Sequence, residues 1–128
     1  MNQKSFVGQL GEDIACEYLC DKAYKILYRN RRWPWGELDI IAREQRGTLV
    51  FVEVKTLWGS NENLRPEDHY NAAKDRKTKR TVQLFIQNNP RMFDDALGFR
   101  IDLVAVQIKN QQYNDWRSDC VIRHYENI

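Results

Sequence analysis

Residues 49–56 read LVFVEVKT, and their strict alternation leaves the chain few options. Val50, Val52 and Val54 recur at every second position, so in a strand they share one face, while Phe51, Glu53 and Lys55 share the other. Helical spacing would scatter both sets. The preceding run, GELDIIA at 36–42, reads the same way, with Glu37 and Asp39 backed by Leu38, Ile40 and Ala42. Two neighbouring strands therefore carry an apolar face and a charged one. On the charged face acids outnumber the lysine three to one, an arrangement that repels itself without a cation.

The rest of the chain frames these strands. A first helix is expected over about residues 5–21, because Phe6, Leu10, Ile14 and Tyr18 recur every four residues, with Val7, Ala15 and Leu19 widening the stripe. Gly8 and Gly11 each oppose that helix by up to about 1 kcal/mol, which points to a close backbone approach. AYKILYRN (23–30) reads as a strand, and RRWPWG (31–36) as a turn or loop, since Pro34 and Gly36 interrupt pairing. A polar loop follows at 57–66, then a second helix over about 67–87, stopped by NNP. GFRIDLVAVQIK supplies a fourth strand, and residues 120–124 a short last one.

The order α-β-β-β-α-β, with an extra strand, constrains the topology. Three strands with short connections form a meander, and the helix after them provides the crossover that parallel pairing requires. An α/β domain with a central mixed sheet flanked by helices is expected, spanning residues 1–128 as one unit.

Composition narrows the class. At 128 residues, 42% hydrophobic and 30% charged, the chain suits a soluble globular domain. No apolar run approaches the roughly 18–20 residues of a membrane span, and the first residues show no secretory pattern, so a cytoplasmic location is expected. Cys16, Cys20 and Cys120 form no disulfide framework or zinc pattern and read as small buried hydrophobes. The net charge of +2 is unremarkable, but KDRKTKR at 74–80 and Lys25, Arg29, Arg31 and Arg32 form two local basic patches.

Same-face Glu and Lys residues commonly make ordinary cross-strand ion pairs. Three features oppose that reading here: the strong apolar backing, the excess of acid, and the basic helix that follows at once. Asp39 and Glu53 offer the oxygen ligands a hard divalent ion takes, with the Val54 carbonyl between Glu53 and Lys55. Mg²⁺ or Mn²⁺ there would polarise a scissile phosphate and acidify a bound water. Lys55 would orient that water or stabilise charge on a phosphorane-like transition state.

GELDIIA followed by LVFVEVK resembles the D…E-x-K signature of the PD-(D/E)xK nucleases, which include restriction endonucleases and Holliday junction resolvases. More closely, VGQLGEDIACEYL, YKILYRNRR, GELDIIA, LVFVEVK and FRIDLVAV follow the order of the YraN-like family (UPF0102), small bacterial proteins classed as predicted endonucleases. The resemblance implies a restriction endonuclease-like fold and an endonuclease that hydrolyses DNA phosphodiester bonds, branched or structured DNA included. It places Asp39, Glu53 and Lys55 in catalysis, with Asp39, Glu53, Glu12 and Glu37 around the metal. Lys74 and Lys77 match basic positions of the family's second helix and, with Arg31, are the expected nucleic-acid contacts. Resolvase-like relatives act as dimers, which leaves room for a homodimer. Leu38 stands where the superfamily has proline, and Leu57 where the family usually has arginine, a phosphate contact removed.

Other readings stay open. Glu12 also reads as a solvated helix residue. Trp33 and Trp35 suit either stacking on an unpaired base or capping the core. Asp102 suits either orienting a site residue or burial against an arginine. A catalytically inactive nucleic-acid-binding protein, or an interaction subunit retaining the fold, competes with the nuclease.

Overall fold

A computed structural model of the protein describes residues 5–59, 65–69, 71–110 and 112–128. Of the polar loop expected at 57–66, Leu57 and Trp58 belong instead to the preceding strand, and residues 60–64 lie outside the described residues. The chain order is α1 (Phe6–Asp21), β1 (Lys25–Trp33), β2 (Gly36–Arg43), β3 (Leu49–Trp58), α2 (Ala72–Asn88), β4 (Phe99–Ile108), a short α3 (Trp116–Asp119) and β5 (Cys120–Tyr125), with 3-10 turns at Pro66–His69 and Pro90–Met92. The five strands lie in sequence order across one sheet. β1, β2 and β3 form the antiparallel meander, β3 and β4 run parallel, and β5 returns antiparallel. The parallel step falls where α2 provides the crossover.

The alternation in β3 sorts the core. Val50 and Val52 join Ile14, Ala15 and Leu19 of α1 and Val104, Val106 and Ile108 of β4 in one cluster, with Val54 packed against it. Phe51 joins Val82 and Phe85 of α2 and Ile101 in another. Each face of the sheet thus has its own helix, and Glu53 and Lys55 fall on the α2 face by the parity of the strand.

Two glycines set how closely the helices sit. A Cβ at Gly11 would lie 1.8 Å from the Thr56 hydroxyl oxygen, so α1 lies against β3 only because residue 11 lacks a side chain. A Cβ at Gly36 would lie 2.2 Å from that of Thr81, which fixes the start of β2 against α2.

Two further boundaries differ from the pattern-based expectation. RRWPWG is mostly strand: β1 runs through Trp33, which pairs with Gly36, leaving Pro34 and Trp35 as the turn. Proline ends pairing only at its own position, on the outermost strand, where a missing N–H is tolerated. The second helix starts at Ala72, with the Asn71 side chain accepting from Lys74 N–H at 2.9 Å, and Pro66–His69 is a separate 3-10 turn. The cysteines also differ. Cys20 is exposed on the outer side of α1, whereas burial pushes the Cys16 and Cys120 thiols up to about 11. No helix among the described residues is long and apolar enough to cross a membrane.

Candidate functional site

The charged ends of β2 and β3 open into a groove between the start of α1 and the start of α2. One half, about 260 Å³, is lined by Ser5, Val7 and Gly8 of the α1 end together with Glu37, Asp39, Glu53, Lys55 and Lys74. The adjoining half, about 580 Å³, is lined by Arg32, Trp33, Glu37, Glu53, Lys74 and Lys77, among others. Glu37, Glu53 and Lys74 belong to both halves, so the two adjoin there.

Backbone pairing explains its floor. β2 and β3 pair from Arg43–Leu49 to Ile40–Val52, where the ladder between these described residues stops short of Asp39. There the Asp39 carboxylate accepts the Val54 N–H at 2.9 Å. A side chain thus replaces a ladder bond, and Asp39 is anchored to β3 beside Glu53.

Asp39 and Glu53 are both 7% exposed. Burial, and next the neighbouring Asp39 charge, push the Glu53 carboxyl above its ordinary value. Two ammonium groups answer this: Lys74 Nζ lies 3.0 Å and Lys55 Nζ 3.6 Å from the same Glu53 oxygen. Burial and the neighbouring Lys74 lower the affinity of Lys55 for its proton. Burial opposes the charge of Lys74 too, but its contact with Lys55 and the nearby carboxylates hold its pKa above the ordinary value. Lys74 stands in the first turn of α2, where the helix dipole disfavours a cation, so the acid of Glu53 is what accommodates it there. At the rim, Glu37 pairs with Arg32 at 3.5 Å.

The donors are oxygens, and ionising both buried acids at once is penalised, so Asp39 and Glu53 fit a hard divalent cation. Glu12 and Arg31 are placed elsewhere. Glu12 is buried one turn beyond Gly8 and lines a separate hollow with Gln9, Arg29 and Asn30, with Arg29 Nε 3.9 Å away. Arg31 lies over the Tyr28 ring at 4.3 Å, whereas its neighbour Arg32 lines the groove. Lys77 lines only the half of the groove nearer Trp33.

Among the described residues, Asp102, His124 and Glu126 are the one group of three possible metal ligands whose ligand atoms lie within 4.8 Å of one another. The Arg100 guanidinium already occupies that position, reaching both Asp102 oxygens at 3.0 and 3.2 Å. The same network holds His124 between Asp102 at 2.7 Å and the Tyr18 hydroxyl at 3.0 Å. The signal for it in the sequence was Asp102 itself, an acid set among apolar residues of a strand, with Arg100 two positions before it, but His124 and Tyr18 come from distant segments.

The model of the uncharacterised protein family UPF0102 matches residues 11–106. A UPF0102 protein of Syntrophotalea carbinolica is 42% identical over 110 residues, 86% of this chain and 85% of that one. One from Alkaliphilus oremlandii is 37% identical over 99% of this chain and 98% of its own length. UPF0102 protein tll1737 of Thermosynechococcus vestitus is 36% identical over 79% and 82% respectively.

Proposed function

The chain belongs to the uncharacterised protein family UPF0102, and from the groove we propose that it is a metal-dependent nuclease of restriction endonuclease-like fold, acting on DNA phosphodiester bonds. The observation that carries this reading is Glu53, buried at the meeting point of Asp39, Lys55 and Lys74 on the floor of an open groove. A purely structural acid would be closed off by its partners.

Each residue has a task. Asp39, anchored by the Val54 N–H, and Glu53 would hold Mg²⁺ or Mn²⁺, with Glu37 at the rim. Bound there, the ion would supply Lewis-acid stabilisation of the phosphate and an acidified water. Lys55, whose burial and cationic neighbour loosen its proton, would hydrogen-bond the attacking water. Lys74 and Lys77 line the wall where the backbone N–H groups of the α2 start favour an anion, and would seat flanking phosphates. The mixed sheet with one parallel crossover step supports the fold assignment.

One observation favours a non-catalytic nucleic-acid-binding protein instead: Lys74 at 3.0 Å already supplies Glu53 with a positive charge. Purified protein incubated with branched and linear DNA in Mg²⁺ or Mn²⁺ separates the two. Cleavage is expected, falling at least about a hundredfold in Asp39→Ala and Lys55→Ala, by the scale of removing a group that stabilises transition-state charge. Cleavage untouched by both substitutions sinks the site. Binding without cleavage in every metal establishes the alternative.

A further inference from the structure

Two aromatic stacks adjoin the residues that line the groove, one through Trp33 and one through the neighbours of Phe6 in sequence. At the β1–β2 turn, the Trp33 and Trp35 rings lie nearly parallel, 14° apart with centroids 6.2 Å apart. Trp33 is tied to the core edge-on by Phe85 at 6.1 Å, while Trp35 is 41% exposed. The other stack is Phe6 on Trp58, with centroids 6.4 Å apart and planes 26° apart. Trp58 is held by a 2.8 Å hydrogen bond from its indole N–H to the Asn110 carbonyl, and Phe6 is 75% exposed. In each pair, a fixed inner ring presents an outer ring to solvent.

Capping the core accounts for Trp33 but leaves Trp35 and Phe6 without an apolar role. The groove joins them. Ser5 and Val7, on either side of Phe6 in sequence, line the half that holds Asp39 and Lys55, and Trp33 lines the half that holds Lys77. Between the stacks the wall carries Arg32, paired with Glu37, Lys74, paired with Glu53, and Lys77.

Exposed aromatic platforms beside a groove that carries Lys74 and Lys77 suit a ligand with flat apolar faces and a regular anionic backbone. In a duplex those faces are covered by the neighbouring base pairs; an unpaired strand presents them. We propose that the groove binds an unpaired nucleic-acid strand, with bases stacked on Trp35 at one end and Phe6 at the other, and its phosphates along Lys74 and Lys77. The substrate class follows from the reading of the groove as a phosphodiester-processing site, on which this inference rests: the acids would meet single-stranded segments, such as those at branches, flaps and gaps.

The test is a titration of intrinsic tryptophan fluorescence in EDTA at low salt, so that nothing is cut. Short oligothymidylate, the matching oligouridylate and a blunt DNA duplex serve as probes. Tight binding of either single strand with quenching, at least about tenfold tighter than the duplex, is expected, and the better of the two identifies the sugar. Trp35→Ala and Phe6→Ala should each weaken strand binding about five- to tenfold, while Trp35→Phe retains most of it. Equal affinity for duplex and single strand, or variants that bind like the parent, overturns the proposal. So does loss of self-association in Trp35→Ala with strand binding unchanged, which would make the stack a contact between copies. Cleavage assays on the parent protein distinguish the two claims. Strand binding by a parent that cuts nothing in Mg²⁺ or Mn²⁺ removes only the catalytic reading, whereas duplex cleavage indifferent to Trp35→Ala and Phe6→Ala removes only this one.

Discussion

Asp102 and Glu53 sit one register step apart on neighbouring parallel strands, since Asp102 pairs with Val52 and Glu53 with Leu103. Both are buried carboxylates, yet they face opposite sides of the sheet and their surroundings differ in kind. Asp102 accepts from Arg100 on both oxygens, from the Asn127 N–H at 3.0 Å, and is hydrogen-bonded to His124. Burial favours its proton, but those bonds outweigh it and hold the carboxyl below its ordinary value. Glu53 shares its space with a second acid and is held above its ordinary value. An acid saturated by fixed donors on a closed face is architecture. An acid crowded by another acid at an open groove leaves a demand that a cation can meet.

That contrast predicts stability changes of opposite sign. Asp102→Asn, which keeps the shape but leaves Arg100 without its counter-charge, should cost about 3–5 kcal/mol in urea denaturation. A loss below about 1 kcal/mol would place Asp102 with the dispensable acids.

The pH response is the second way to probe the difference. Glu67, bound by Arg123 through two nitrogens, is lowered from 4.5 to about 2, chiefly by those hydrogen bonds. Its folded-state pKa lies below the unfolded one, so its contribution is complete above 4.5 and is lost as pH falls towards 2. Asp102 behaves likewise below its ordinary 3.8. Glu53 has the reverse sign: the folded state holds its proton more tightly, so stability falls as pH rises from 4.5 through the raised value. Urea midpoints measured across pH should therefore lose part of their acid-side slope in Glu67→Gln, and part of the fall above 4.5 in Glu53→Gln. Profiles superimposable on the parent would refute these assignments.

The smallest effect is the most telling. Glu53→Gln at neutral pH should leave stability unchanged or raise it by up to about 1 kcal/mol, because the repulsion with Asp39 is relieved while Asp39 keeps the two lysines nearby. Substantial destabilisation would make Glu53 an architectural acid like Asp102.

What could be read from the sequence depended on the range of the interaction. The period of two in LVFVEVKT placed Phe51 on one face and Val50 and Val52 on the other, and the structure puts a different helix against each. Gly11, a poor helix residue, signalled the contact with Thr56. The strand through Arg31 and Arg32 was hidden by Pro34 and Gly36, because local turn signals do not reveal how far pairing extends before them. A basic patch in sequence also could not say which of two adjacent arginines faces the groove. On β1, Arg32 and Trp33 both line it, while Arg31 lies over Tyr28, beyond the left-handed backbone at Asn30 that breaks the alternation.

The sequence by itself determined the strands, the helices and the residue types on the charged face, because period and propensity are properties of neighbours along the chain. It also determined the family. Only the tertiary structure decided which charges meet. It set Lys74 of α2 on Glu53 of β3, moved Glu12 to a hollow with Arg29, and closed Asp102 with Arg100 and His124. Those outcomes depend on how far each helix slides along the sheet, and that distance is fixed by packing at Gly11 and Gly36 rather than by any local pattern.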